Sequence, residues 1–148
     1  MAEINRKELI LALISAGSTP RLAGVDLTAL DMTRLDMSGA SARAAKFVAA
    51  TLREAILRGA NLSYADMTTV QAAGLNLDSA NLTGVNFSSA TLTSVLLTNA
   101  NLTNAILNGA NLTGANMKGA NVSGIKFNEN TTWPDGKKGS QGNPVSYT

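Results

Sequence analysis

Residues 80–84 read Ala-Asn-Leu-Thr-Gly, and the same five residues return at 110–114. Around these copies a five-residue unit, with a large apolar residue at its centre, runs without a slip from Val25 to Glu129 and gives 21 units. The residue two places before each centre is small or aliphatic, as at Ala60. An internal repeat of this kind predicts a solenoid, in which each unit buries its apolar side chains against its neighbours.

The unit centres form the predicted hydrophobic core. The centres that we expect to matter most for the core are Leu27, Phe47, Leu62, Leu82, Phe87, Leu102, Leu112 and Phe127. Ala42 and Ala72 are the only weak centres, and Pro20–Gly24, with Leu22 at its centre, fits as one further unit. Phe47, Phe87 and Phe127 recur at multiples of the repeat, which favours core filling over a ligand site.

A period of five fits neither a helix nor a flat strand. Five residues turn a helix by about 140°, which would scatter the apolar positions around it. On a continuous strand an odd period would send successive centres to opposite faces. The pattern works if each unit holds a short extended piece and a corner, and glycines such as Gly84 and Gly114 stand at the last position, where a corner needs permissive dihedral angles.

The Ala-(Asp or Asn)-Leu-x-x units resemble those of the pentapeptide-repeat family over residues 20–129. The resemblance implies an all-β fold, a right-handed quadrilateral parallel β-helix with four units per coil. Residues twenty apart would then stack at one inter-strand spacing of about 4.8 Å. We expect three parts: a helical cap at 1–19, the repeat at 20–129, and a cap turn with a flexible tail at 130–148.

Given four units per coil, the outer surface resolves into columns. One column holds Ser41, Asn61, Asn81, Asn101 and Asn121, and we expect its stacked amides to hydrogen-bond along the rod. A second column, Asp26, Lys46 and Asp66, alternates in charge, and Arg34 stacks over Glu54. Exposed ion pairs of this kind contribute about 0–1 kcal/mol each and set register more than function.

The residues before Pro20 are predicted to form a short helix that caps the first coil. Asn5 and Glu8 have the spacing of a capping box, and Gly17 with Pro20 ends the helix. We place one apolar face of this helix against the rod, made of Leu9, Ile10, Leu13 and Ile14. The alternative use of that face is partner binding.

The other end carries Trp133-Pro134-Asp135-Gly136, which is typical of a turn. Trp133 is the only tryptophan, and we expect it to cover the last coil. This ending is also similar to tails of cyanobacterial pentapeptide-repeat proteins. Residues 137–148 are polar and glycine-rich, which predicts a disordered segment.

Composition argues against catalysis. The chain has no cysteine and no histidine, so the commonest general base and the commonest metal ligands are missing. Asp26, Asp31 and Asp36 recur every five residues and should face different sides of the rod. We therefore expect no catalytic residue, no cofactor and no metal ion. No stretch approaches the ~20 apolar residues of a membrane span, so we expect a cytoplasmic protein.

These observations favour a non-catalytic interaction or structural scaffold that binds an unknown protein partner. Between Leu82 and Met117 there is no charged residue, which fits either a docking face or a near-consensus repeat kept in solution by amides and hydroxyls.

The resemblance implies one alternative, a DNA mimic that modulates DNA gyrase, but the net charge of +2 disfavours it. Nucleic-acid binding through Arg34, Arg43, Arg53 and Arg58 is disfavoured because these arginines spread over different faces. An end-to-end homodimer is a further option.

Overall fold

The computed structural model describes residues 4–17 and 19–148. An α-helix, α1 (Arg6–Ala16), precedes a rod of stacked coils. Two short 3-10 helical segments, Gly139–Gln141 and Pro144–Tyr147, follow the rod.

The rod is held together by single-residue parallel bridges between positions twenty apart. The ladder begins with Arg21 bridged to Ser41 and keeps this offset to Ile106 and Lys126. Backbone hydrogen bonds of 2.7–3.0 Å join successive coils. Five-residue units and an offset of twenty give four units per coil, so the predicted four-sided parallel arrangement is confirmed, and the unit Pro20–Gly24 belongs to the ladder.

Each corner of the rod is a β-turn that begins at a unit centre. After Leu82, for example, the Val85 amide donates to the Leu82 carbonyl at 3.1 Å. The third residue of this turn, Gly84, has φ +64°, the left-handed value that a type II turn requires. The same position also accepts residues with side chains, since Tyr64 has φ +60° there.

The centres and the small residues two places before them point inward. Seven of the eight predicted core centres are fully buried, with exposures of 0%: Leu27, Phe47, Leu62, Leu82, Phe87, Leu102 and Leu112. Phe127 differs from the prediction and is only partly buried, because it lies in the last coil and no further coil covers it. Its ring instead meets Trp133 edge-on, with centroids 5.1 Å apart.

The repeat slips by one residue in the last coil. Asn111 bridges Thr132, an offset of 21 instead of twenty. At the slip, the side-chain oxygen of Asn128 accepts the Gly109 amide hydrogen at 3.0 Å, in place of a backbone carbonyl. The shift brings Trp133 to a unit centre, where it is fully buried.

Helix α1 covers the first coil, but not with the whole face that the sequence suggests. The capping box is present: Asn5 accepts the Glu8 amide at 2.9 Å, and Glu8 accepts the Asn5 amide at 2.8 Å. Leu9 is fully buried, whereas Ile14 is 75% exposed, so the assignment of Ile14 to the capping face is wrong. Successive helical residues turn by about 100°, which places Ile14 about 140° from Leu9.

Residues 137–148 fold back onto the rod, in contrast to the predicted flexible tail. The Trp133 indole N–H donates to the Gly139 carbonyl at 2.8 Å, and Tyr147 stacks on the indole with centroids 5.9 Å apart. The predicted turn is confirmed by the Gly136 amide, which donates to the Trp133 carbonyl at 2.9 Å. Glycine-rich composition suggested disorder, but the buried tryptophan supplies a long-range anchor that composition does not reveal.

Candidate functional site

The four sides of the rod are named here by the residues at their bridge positions. The asparagine face has Arg21, Ser41, Asn61, Asn81, Asn101 and Asn121; the lysine face has Asp26, Lys46, Asp66, Asn86, Ile106 and Lys126. The threonine face has Asp31, Thr51, Gln71, Thr91, Asn111 and Thr132; the aliphatic face has Asp36, Ile56, Asn76, Leu96 and Asn116. Because side chains fill the interior, the residues of the rod that a partner can contact lie on these outer faces.

On the asparagine face, each amide closes a turn within its own unit. The Asn81 Oδ1 accepts the Thr83 amide at 3.1 Å and the Thr83 hydroxyl at 2.7 Å. Asn101 and Thr103 repeat both contacts at 3.1 and 2.6 Å. The predicted column is present, but these amide oxygens bond locally and not along the rod. The Oδ1 atom of each of these exposed asparagines therefore accepts hydrogen bonds within its own unit, which leaves the NH₂ group as the donor that the side chain can offer to a partner.

An exposed tyrosine lies on the same side of the rod. Tyr64 is 59% exposed, and its ring lies over Gly84 of the next coil, where a Cβ atom would stand 2.7 Å from the ring carbons. The Arg43 guanidinium carbon is 5.8 Å from the ring centroid, within the range of a cation–π contact. Sequence reasoning missed Tyr64, although the spacing of twenty to Gly84 could have revealed it.

Most of the charged contacts lie on the other sides of the rod. Arg34 Nε donates to Glu54 at 2.8 Å, which confirms the predicted stack, and Arg58 Nε donates to Asp78 at 3.1 Å. Both arginines are about 70% exposed, so each pair contributes little to the free energy of unfolding. Their main effect is to neutralise charge on those sides.

At the bridge positions Asp26, Asp31 and Asp36, hydrogen bonds from the residue two places on lower the pKa of the carboxyl. The hydroxyl and backbone amide of Ser38 both donate to Asp36 and lower the pKa of its carboxyl. Asp78 lies outside the bridge positions, and its carboxyl pKa is lowered first by the Thr98 hydroxyl of the next coil and then by Arg58 of the preceding coil. Hydrogen bonds, not burial, are the cause at these positions, so the lowered pKa values reflect local structure and do not mark an acid–base site.

The C-terminal half of the rod carries a belt without charge. From Ser79 to Met117 no residue is acidic or basic, and this uncharged belt extends around all four faces. Its bridge positions hold mostly amides and hydroxyls, with exposed Leu96 and half-buried Ile106 as apolar exceptions. The belt is thus a neutral surface that could contact a partner without desolvating a charge.

Two clefts lie where α1 meets the first coil. The larger has a volume of about 350 Å³ and is lined by residues that include Leu13, Pro20 and Leu22. The other cleft includes Asp36 and Ser38, whose carboxylate and hydroxyl are hydrogen-bonded to each other as part of a turn. Within residues 4–17 and 19–148 no cluster of acidic side chains could hold a metal ion. No helix in the described part of the chain is long and apolar enough to cross a membrane.

The sequence matches the family model for pentapeptide repeats, in eight copies that cover residues 21–59, 36–70, 55–99 and 96–129. A search of curated proteins returns no significant match.

Among solved structures, QnrB1, a plasmid-mediated fluoroquinolone resistance protein, is 26% identical with a TM-score of 0.55, over 74% of this chain and 57% of QnrB1. HetL, a pentapeptide-repeat protein involved in heterocyst differentiation regulation in the cyanobacterium Nostoc sp. strain PCC 7120, is 28% identical with a TM-score of 0.36, over 80% of this chain and 62% of HetL. The chain therefore spans about three fifths of the length of these two proteins.

Proposed function

Because the chain belongs to the pentapeptide-repeat family, we propose that it is a non-catalytic scaffold that binds a protein partner through the outer faces of its rod. The observation that carries the proposal is the uncharged belt from Ser79 to Met117. A soluble surface normally carries interspersed charges. A rigid neutral face lowers the cost of removing water from both partners when they associate.

The test is affinity purification of the intact protein from cells that express it, together with four variants. Each variant adds one carboxylate to a different face of the belt: Leu96→Asp, Asn101→Asp, Ile106→Asp and Asn111→Asp. Aspartate is tolerated at these positions, since Asp31 and Asp36 occupy the same place in their units. We expect a partner that copurifies with the parent protein and is lost from the variant of one face, while the other three variants serve as matched controls. Absence of any partner, or equal retention by all four variants, would contradict the proposal.

A second candidate is modulation of DNA gyrase by mimicry of a DNA rod. Similarity to QnrB1, at 26% identity with a TM-score of 0.55, favours it. The net charge of +2 argues against it, because a DNA mimic needs a strongly anionic surface. The candidate predicts altered supercoiling by purified gyrase at micromolar protein, and unchanged supercoiling would eliminate it.

The C-terminal end of the rod supports an end-to-end homodimer as a further proposal. Ala115, Val122, Ile125 and Phe127 are only partly buried in the last coils. A second copy stacked on this end would cover their apolar surface and the edge of the ladder. Analytical ultracentrifugation should then give a dimer that Val122→Lys converts to a monomer; a wild-type monomer at high concentration would refute it.

We also propose that the coils wind in the right-handed sense. Pentapeptide-repeat proteins fold as right-handed quadrilateral β-helices, and parallel crossovers in general strongly favour this hand. Cytoplasmic localisation stays a prediction.

A further inference from the structure

The asparagine face differs from the other three in its charges. Its units, residues 20–24, 40–44, 60–64, 80–84, 100–104 and 120–124, contain Arg21 and Arg43 and no acidic residue. Both arginines are exposed. Each of the other faces carries at least one aspartate at a bridge position. Two faces adjoin the asparagine face: on the lysine face Asp26 and Asp66 flank Lys46, and on the aliphatic face Asp36 stands at a bridge position.

Tyr64 stands between these arginines and the uncharged belt. Gly84 leaves room for the ring against the next coil, and the Arg43 cation lies near the ring, so the side chain is held while 59% of it remains exposed. Tyrosine and arginine are both enriched among the residues that dominate binding energy at protein interfaces, and an ordered side chain loses less conformational entropy on binding.

Beyond Tyr64 the face continues with exposed hydrogen-bond donors. The amide oxygens of Asn81 and Asn101 accept hydrogen bonds within their own turns, so the NH₂ groups are the donors that these two exposed residues can offer to a partner. Cations at one end and amide donors along the rest match carboxylates and main-chain carbonyls.

We infer that the asparagine face binds an extended, acidic segment of a protein partner, with its carboxylates at Arg21 and Arg43 and its backbone over Tyr64, Asn81 and Asn101. Four coil spacings of about 4.8 Å separate Arg21 from Asn101, a distance that about six extended residues span. This inference rests on the proposed scaffold function and names the partner's chemistry. Two cations are too few for the repeated phosphate contacts that bind a nucleic acid tightly.

The test is a titration of the full-length, ¹⁵N-labelled protein with an eight-residue peptide that has three glutamates at one end and serine and glycine in the rest. We expect saturable NMR shifts in the side-chain amide signals of Asn81 and Asn101, with Asn76 and Asn116 of the aliphatic face unchanged. The same peptide with lysine in place of glutamate should give no saturable shift. The inference is overturned if the glutamate peptide gives no saturable shift. It is also overturned if an eight-nucleotide oligo(dT) shifts the Asn81 and Asn101 signals and binds more tightly than the peptide.

Two matched pairs of variants sharpen the test. Tyr64→Gly should weaken peptide binding about tenfold while leaving the protein folded, because glycine suits the left-handed corner. Thr69→Gly, at the same position of the next corner, should leave binding unchanged. Arg43→Gln should weaken binding about threefold, whereas Arg53→Gln, at the equivalent position of the threonine face, should not. Equal effects within either pair overturn the inference.

The failure of this inference can be told apart from failure of the scaffold proposal. If a partner is captured from cells and both Tyr64→Gly and Arg43→Gln still bind it fully, the inference is overturned and the scaffold proposal is retained. If no partner is captured at all, the scaffold fails, and the peptide titration still reports directly on the asparagine face.

Discussion

At the scale of single residues, position within the five-residue unit decides what each side chain does. The centre and the residue two before it fill the interior, the bridge residue joins neighbouring coils, and the last residue takes a left-handed backbone. A bridge residue with an amide or carboxylate oxygen also closes its own turn, as Asn81 and Asp36 both do. Aspartate and asparagine are thus structurally equivalent there but differ in charge.

Asp36 gives a prediction about pH. Hydrogen bonds from Ser38 lower the pKa of Asp36 below its ordinary value of 3.8, so the folded state favours the carboxylate more than the unfolded state does. The resulting stabilisation is complete above that ordinary value and is lost as the pH falls through the lower folded-state pKa. Asp36→Asn keeps the turn, as Asn76 does in the same column. Its urea midpoint should therefore fall less than that of the parent between pH 7 and pH 3.

Ser38→Ala is the control for this prediction. It keeps the carboxylate but removes the hydroxyl that donates to it at 2.6 Å. The acid sensitivity should lie between those of the parent and Asp36→Asn. Identical acid sensitivity in all three proteins would show that the Ser38 contacts do not couple folding to the ionisation of Asp36.

Gly142 gives a prediction about the C-terminal segment. A Cβ atom at this residue would clash with the Cδ1, Cγ and Nε1 atoms of Trp133, which is fully buried. Overpacking of this kind costs about 1–3 kcal/mol, so Gly142→Ala should detach the segment and expose the indole. Tryptophan fluorescence should shift to longer wavelength, and the signal is specific because Trp133 is the only tryptophan.

Gly136→Ala is the matched control, because a Cβ atom there meets nothing within 4 Å. It carries only the strain of a positive φ, +86°, and should leave the emission spectrum nearly unchanged. An unchanged spectrum in Gly142→Ala would mean that the segment does not depend on close contact with the indole.

At the scale of elements, helix α1 caps the N-terminal end of the ladder of bridges through the side chain of Arg6. Within the rod, the carbonyls of Thr51 and Arg53 accept amide hydrogens from the preceding coil. The first coil has no coil before it, and Arg6 donates instead to the carbonyls of Asp31 and Thr33 at 2.6 and 3.0 Å. The planar guanidinium thus replaces two backbone amides.

Arg6→Lys should loosen α1, because one ammonium group cannot reproduce both contacts in the same geometry. Charged hydrogen bonds contribute about 1.5–3 kcal/mol, and partial loss should speed hydrogen exchange of the α1 amides by about tenfold. Lys7→Ala is the control, since Lys7 is exposed on the same helix. Equal exchange rates in the parent and Arg6→Lys would show that α1 is held by Leu9 packing alone.

The elements also show how far sequence reasoning reaches. The repeat predicted the inward positions because a constant period brings equivalent residues of successive coils into register. The capping box predicted the start of α1 because its two residues lie three positions apart. The side of α1 that meets the rod was only partly predicted, since the four apolar residues spread over about 140° of the helix surface and only Leu9 among them is buried. The ordered segment after Gly136 depends on long-range contacts with Trp133, which composition does not encode.

The candidate site was less accessible to prediction than the fold. The uncharged belt is visible in the sequence, but the pairing of Tyr64 with Gly84 and Arg43 appears only when residues of successive coils are placed side by side. The orientation of the asparagine side-chain amides depends on hydrogen bonds within each turn. Aligning the sequence coil by coil does not reveal these hydrogen bonds.

At the scale of the whole molecule, the chain is a rod whose interior is filled and whose outer faces differ from one another. Because each unit contacts mainly its neighbours, outward substitutions should change one face without disturbing the others. This separation makes it practical to assign binding to a face.

The most direct measurement is photo-crosslinking in cells from one bridge position on each face. A photoreactive amino acid would replace Leu96, Asn101, Ile106 or Asn111, which lie within about one coil of each other on four different sides. For a scaffold with a defined docking face, we expect a discrete crosslinked partner from one position, Asn101 if the asparagine face is used. No discrete crosslink from any of the four positions would contradict a scaffold that works through the belt.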